Sequence, residues 1–114
     1  MESLHLPVLI VPSKYISGEF VSYTPYDLCG QGSSIQAAED SAVSVVTDYL
    51  HVYAMRSKLL PEPVRLQSID DITVHFGALV PRGVEIILDR TIATKFEGLP
   101  SMVFKFYRLC KYLN

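Results

Sequence analysis

Leu4-His5-Leu6-Pro7-Val8-Leu9-Ile10-Val11 is rich in aliphatic and β-branched residues, Ser13 to Gly18 carries turn formers, and Glu19-Phe20-Val21-Ser22-Tyr23 alternates again. That pattern predicts a β-hairpin. Pro7 has no amide hydrogen to donate, so the first strand is expected to lie at an edge or to start near that point. Thr24-Pro25-Tyr26-Asp27 reads as a bend, and Gly30-Gln31-Gly32 leaves room for only a very short third strand.

From Ser33 to about Leu59, Ile35, Ala38, Ala42, Val45, Val46, Tyr49 and Tyr53 recur at helical spacing opposite Gln36, Asp40, Ser44, Thr47 and His51. This predicts a long amphipathic helix. Ser33 followed by Gln36 fits a capping box, Glu39 and Asp40 suit the positive end of the helix dipole, and Pro61-Glu62-Pro63 supplies the stop. A polar bridge from Arg65 to Asp71 follows. Ile72 to Phe76 and Val84 to Leu88, joined through Pro81-Arg82-Gly83, then read as a second hairpin.

Pro100 and Ser101 fit the start of a final helix running through Met102 to Leu113. Its apolar residues cover most of the circumference, while Lys105, Arg108 and Lys111 recur every three residues as one basic stripe. Phe104, Phe106, Tyr107 and Tyr112 exceed what one sheet face covers, so part of this helix is expected to dock on another chain. The expected partner or oligomer interface is Phe104, Lys105, Phe106, Tyr107, Arg108 and Lys111. The predicted architecture is a single α+β domain over residues 1–114, an antiparallel sheet packed by one long helix plus a C-terminal helix, in the order ββ(β)αββα.

Composition narrows the function classes. With 114 residues, 49% apolar, 19% charged and a net charge of −2, the chain holds enough apolar side chains for a packed core. The weak charge argues against a general nucleic-acid binder. A mean hydropathy of +0.25 is high for so short a chain, which predicts a homodimer or higher oligomer. Cys29 and Cys110 form no CxxC pair and follow no secretory signal, so they read as reduced, core-type cysteines of a cytoplasmic protein. No apolar run is long enough to cross a bilayer.

Candidate chemistry is sparse. His5, His51 and His75 lie on three different elements without metal-ligand spacing, and Asp70-Asp71 and Glu39-Asp40 read as a loop and a first helical turn rather than a catalytic pair. Cys29 has no positively charged neighbours to activate it, and Gly30-Gln31-Gly32-Ser33-Ser34 lacks the Gly-Lys-Ser/Thr ending of a phosphate loop. No enzyme activity, metal or cofactor is expected.

The stretches Gly18-Glu19-Phe20-Val21-Ser22, Tyr26-Asp27-Leu28-Cys29, Gln31-Gly32-Ser33-Ser34 and Leu59-Leu60-Pro61-Glu62-Pro63 together resemble the HicB-like antitoxins over residues about 5–63. In that family a strand leads into a Pro-Asp-Leu-Pro-Gly-Cys bend and a Gln-Gly-Asp-Thr turn opens the helix. Here Asp27-Leu28 runs directly into Cys29, and Ser33-Ser34 stands in place of Asp-Thr. The resemblance implies a degenerate ribonuclease-H-like ββ(β)αβ fold without catalytic carboxylates, and a cytosolic antitoxin that binds and neutralises a small HicA-type ribonuclease toxin. Many members add a DNA-binding module. Val84 to Leu88 could pass for the strand of a ribbon-helix-helix, but exposing Glu85 and Asp89 it offers almost nothing to pair with phosphates, so DNA binding is not expected. The alternative function is a small regulatory or ligand-binding oligomeric domain with no toxin partner.

Overall fold

The computed structural model describes residues 3–55 and 85–109. Strand β1 (Leu4–Pro12) pairs antiparallel with β2 (Phe20–Tyr23), in a register that sets Leu9 against Tyr23 and Pro12 against Phe20. The first hairpin is as expected. Ser13 fixes its loop by accepting at Oγ from the amides of Tyr15 (3.2 Å) and Ile16 (3.1 Å), and Gly18 supplies the positive φ of 81° that the return needs. The short third strand, β3 (Cys29–Gly32), pairs antiparallel with β2.

Helix α1 (Ile35–Met55) follows at once. Its N-cap is Ser34, whose Oγ accepts from the amide of Ala37 at 3.0 Å, one residue later than the expected cap at Ser33. The shift places Ala37 where a capping box needs Glu or Gln, so the reciprocal half of that motif is missing. Ala38, Ala42, Val46 and Leu50 point inward and are buried against Leu6, Val8, Ile10, Phe104 and Phe106 of the sheet. Thr47, expected on the solvated face, is buried as well.

The C-terminal third departs from the sequence expectation. Met102–Leu109 is strand β5 rather than a helix, and it runs parallel to β1 from Leu4↔Met102 to Ile10↔Arg108. β4 (Ile86–Thr94) lies antiparallel on its other side, giving the sheet order β3-β2-β1-β5-β4. The observed order of described elements is therefore βββαββ, a mixed sheet with one helix. An interior strand covered on both faces carries apolar residues at nearly every position, and such a run also satisfies a helix with an apolar circumference. Pro100, expected inside the first turn of a helix, instead sits just before the strand. The expected strand at 72–76 lies outside the described residues, and Ile86 to Leu88, expected as its partner, pairs with β5 on one side.

One sheet face packs on α1; the other carries a smaller cluster of Leu9, Ile86, Tyr107 and Leu109, all buried, with Val11 and Tyr23 against it. Phe104 and Phe106 are fully buried on the helix side and stack at 6.1 Å. Truncating either should cost about 3–5 kcal/mol.

Candidate functional site

Gly30 and Gly32 explain how α1 sits so close to β3. A Cβ on Gly30 would fall 2.5 Å from Ser22 Oγ and 2.9 Å from the Ala42 amide nitrogen, and one on Gly32 would fall 2.6 Å from backbone atoms of Ala37 and Ala38. The glycines are there for helix–strand contact. Ser41 Oγ bridges the same junction by accepting from the Gln31 amide at 3.1 Å. The Gly-Gln-Gly segment therefore reads as a tight strand-to-helix turn.

Just upstream, the bend at Pro25–Asp27 is held by Thr24. Its amide donates to the Leu28 carbonyl at 3.0 Å, and its hydroxyl lies 2.8 Å from the same oxygen. Tyr26 and Asp27 take left-handed φ values of 66° and 58°, an unfavourable conformation for a tyrosine in particular. The bend delivers the Tyr26 ring onto α1, where it stacks on Tyr49 at a centroid distance of 5.2 Å; Tyr49 in turn packs on Tyr53 at 4.9 Å. Tyr49 donates to Tyr53, oxygen to oxygen, at 3.1 Å. Burial, with Tyr49 beside it, pushes the Tyr26 hydroxyl up to about 12. The hydrogen bond to Tyr53 raises Tyr49 first of all, with burial, Tyr53 and the Asp27 carboxylate adding to it. All three tyrosines are half-buried, and Asp27 is exposed beside them.

The second polar constellation crosses from α1 to β4. Glu39 points at the sheet, 2% exposed, and its Oε1 accepts an ion-pair contact from Arg90 Nη2 at 2.7 Å. Its Oε2 is buried with no hydrogen-bond partner. Burial raises the Glu39 carboxyl above its ordinary range; Arg90 opposes that, while Asp89 and Asp40 add to it. A β-bulge between Leu88 and Arg90 inserts Asp89, whose Oδ1 lies 3.2 Å from Arg108 Nε. That contact is an ion pair by distance, but the Nε hydrogen does not point at the carboxylate and remains without a hydrogen bond. The guanidinium of Arg90 also lies over the Phe106 ring, 5.8 Å from its centroid.

The residues expected to form a C-terminal interface are distributed by the strand. Phe104 and Phe106 lie wholly inside the main core, and Tyr107 is buried on the opposite sheet face. Lys105 and Arg108, three apart on a strand, fall on opposite faces, so the basic stripe does not form; Lys111 lies outside the described residues. Cys29, expected in the core, is exposed on β3, and Cys110 lies outside the described residues. His51 Nε2 is 3.3 Å from the Glu97 carbonyl, His5 is exposed, and His75 lies outside the described residues. Among the described residues no three His, Cys, Asp or Glu side chains group as metal ligands, and no helix is long and apolar enough to cross a membrane.

The sequence pattern sets Glu39 in a first helical turn and marks no role for Arg90, whereas α1 starts at Ile35, so Glu39 falls beyond the first turn and is buried. The helical spacing of Glu39 with Ala38, Ala42 and Val46 is the signal that places it close to the buried face. No family model, no curated protein and no solved structure matches this chain.

Proposed function

We propose that this chain is a binding protein of the HicB-like antitoxin type, which neutralises a small HicA-type ribonuclease by covering it and has no DNA-binding module of its own. One observation carries the reading. Three of the four quoted stretches that resemble that family fall on β2, on the left-handed bend and on the turn that opens α1, while the fourth, Leu59 to Pro63, lies outside the described residues. Supporting it, the described elements make a mixed sheet with α1 packed on one face.

The test is co-expression with a small basic HicA-type ribonuclease encoded beside this chain. Relief of growth arrest together with co-purification supports the reading. Growth arrest that persists with this chain present and soluble rejects it.

We further propose that the chain self-associates. Its mean hydropathy of +0.25 and the exposure of Leu88 on β4, an edge of the described sheet, support this. Light scattering at micromolar concentration should report a dimer or larger assembly, and a monomer would refute it.

A further inference from the structure

We propose that the tip of the first hairpin, Lys14-Tyr15-Ile16, docks reciprocally on the start of β4 in a second copy of this chain, with Tyr15 against Leu88 and Lys14 facing Glu85. The inference deepens the self-association reading and rests on it.

Exposure gives the first argument. Among the described residues the large hydrophobic side chains left exposed are Tyr15 (94%), Ile16 (54%), Leu88 (48%) and Val52, and the first three stand toward one end of the sheet. β1 runs parallel to β5 with Ile10 level with Arg108, and β4 runs antiparallel to β5 with Ile87 level with that same Arg108. The chain therefore leaves β1 for the hairpin tip at the end where it enters β4 from Glu85. Only β5 separates the two strands, which at two strand spacings is about 10 Å. Single exposed apolar side chains need no partner, whereas a group of them marks an interaction surface.

The second argument is that the tip is already held in shape. Ser13 Oγ accepts from the amides of Tyr15 and Ile16, the Glu19 amide donates to the Ile16 carbonyl at 3.2 Å, and the Ser13 amide donates to the Glu19 carbonyl at 2.8 Å. Both apolar residues thus have their amides bonded inside the loop. A tip ordered in this way loses little entropy on docking and strands neither of those donors when it is covered.

Charge identifies the occupant. Lys14 is the one charged residue between Ser13 and Gly18, and exposed Glu85 and Asp89 flank Leu88. Asp89 already meets Arg108, which leaves Glu85 as the carboxylate for Lys14. A second copy therefore supplies both the apolar and the acidic complement of the tip. One two-fold axis at this end of the sheet makes both contacts at once, because an isologous interface pairs tip with β4 in each direction. A bilayer fits less well, since one lysine and two apolar side chains give only marginal attachment.

The chain has no tryptophan, so Tyr15→Trp places a single indole at the tip. Its emission should move to shorter wavelength over the concentration range in which light scattering records the dimer. Tyr15→Ala and Leu88→Ala should each weaken that dimer about tenfold or more with an unchanged circular dichroism spectrum. Lys14→Glu should weaken it about tenfold, because like charges then face one another on both sides of the axis, and Lys14→Glu/Glu85→Lys should restore it. A dimer of undiminished strength in either alanine variant, or no recovery in the charge swap, leaves self-association standing and rejects this interface. Wild type that stays monomeric refutes both. An indole that shifts only when phosphatidylglycerol vesicles are added overturns the proposal in favour of a membrane contact.

Discussion

Arg90 Nη2 lies 2.7 Å from Oε1 of Glu39, a contact that ties β4 to the first half of α1. The bulge at Asp89 makes it part of a larger arrangement, because the inserted residue pairs with Arg108 while Arg90 reaches the helix. Of the four charged groups only Glu39 is buried, while both arginines and Asp89 are partly exposed. The buried carboxylate therefore bears the desolvation cost, which its partly solvated partner offsets only in part.

The first prediction concerns pH. Burial raises the folded-state carboxyl of Glu39 above its ordinary value of 4.5, so the contribution of Glu39 to stability is fully present below that value. It is lost as pH rises through the folded-state value. Glu39→Gln should therefore match wild type in acid and become the more stable protein as pH approaches neutrality. Urea denaturation of both proteins across that range measures it, and wild type gaining on the variant with rising pH would mean that Arg90 outweighs burial.

Strand and helix differ sharply in what they predict for residues 104–108. Phe106→Ala should lose about 3–5 kcal/mol, because the ring is fully buried between β5 and α1. Lys105→Ala, on the opposite face and half-exposed, should stay within about 0.5 kcal/mol. Chemical denaturation decides both, and comparable losses would contradict the alternation.

The cap offers a direct comparison between neighbours. Ser34→Ala removes the acceptor for the Ala37 amide and should cost about 1 kcal/mol, whereas Ser33→Ala should cost almost nothing. Thermal melting of the two variants is sufficient. A larger loss at Ser33 would move the cap back by one residue.

Gly32→Ala tests the close approach of α1 to β3. The added methyl would lie 2.6 Å from Ala37 backbone carbon, so the helix must shift, at a cost of about 1–3 kcal/mol or more. Gly98→Ala is the contrast: a Cβ there meets nothing within 4 Å, and only its φ of 82° opposes the change. The first should lose cooperativity of unfolding as well as stability, which circular dichroism monitors.

The N-terminal half was legible in the sequence because its signals are local. Turn residues at Ser13 to Gly18, the Gly-Gln-Gly junction and the apolar spacing from Ile35 to Tyr53 each act within a few residues. β5 was not, since Met102 to Leu109 is apolar at most positions and its partner β1 lies at the other end of the chain. Periodicity alone leaves such a run open between helix and strand. The ion pairs were hidden for the same reason: nothing near Glu39 in sequence announces Arg90, and only the bulge aims Asp89 at Arg108. The tyrosines were visible as helix residues, but their meeting with Tyr26 depends on two left-handed residues that no turn rule predicts for Tyr-Asp.

The most direct test of the central claim is a titration of the HicA-type ribonuclease with the purified full chain, reading RNA cleavage. The account predicts that cleavage falls linearly and ends at one chain per toxin. Undiminished cleavage in a micromolar excess of folded chain would contradict it.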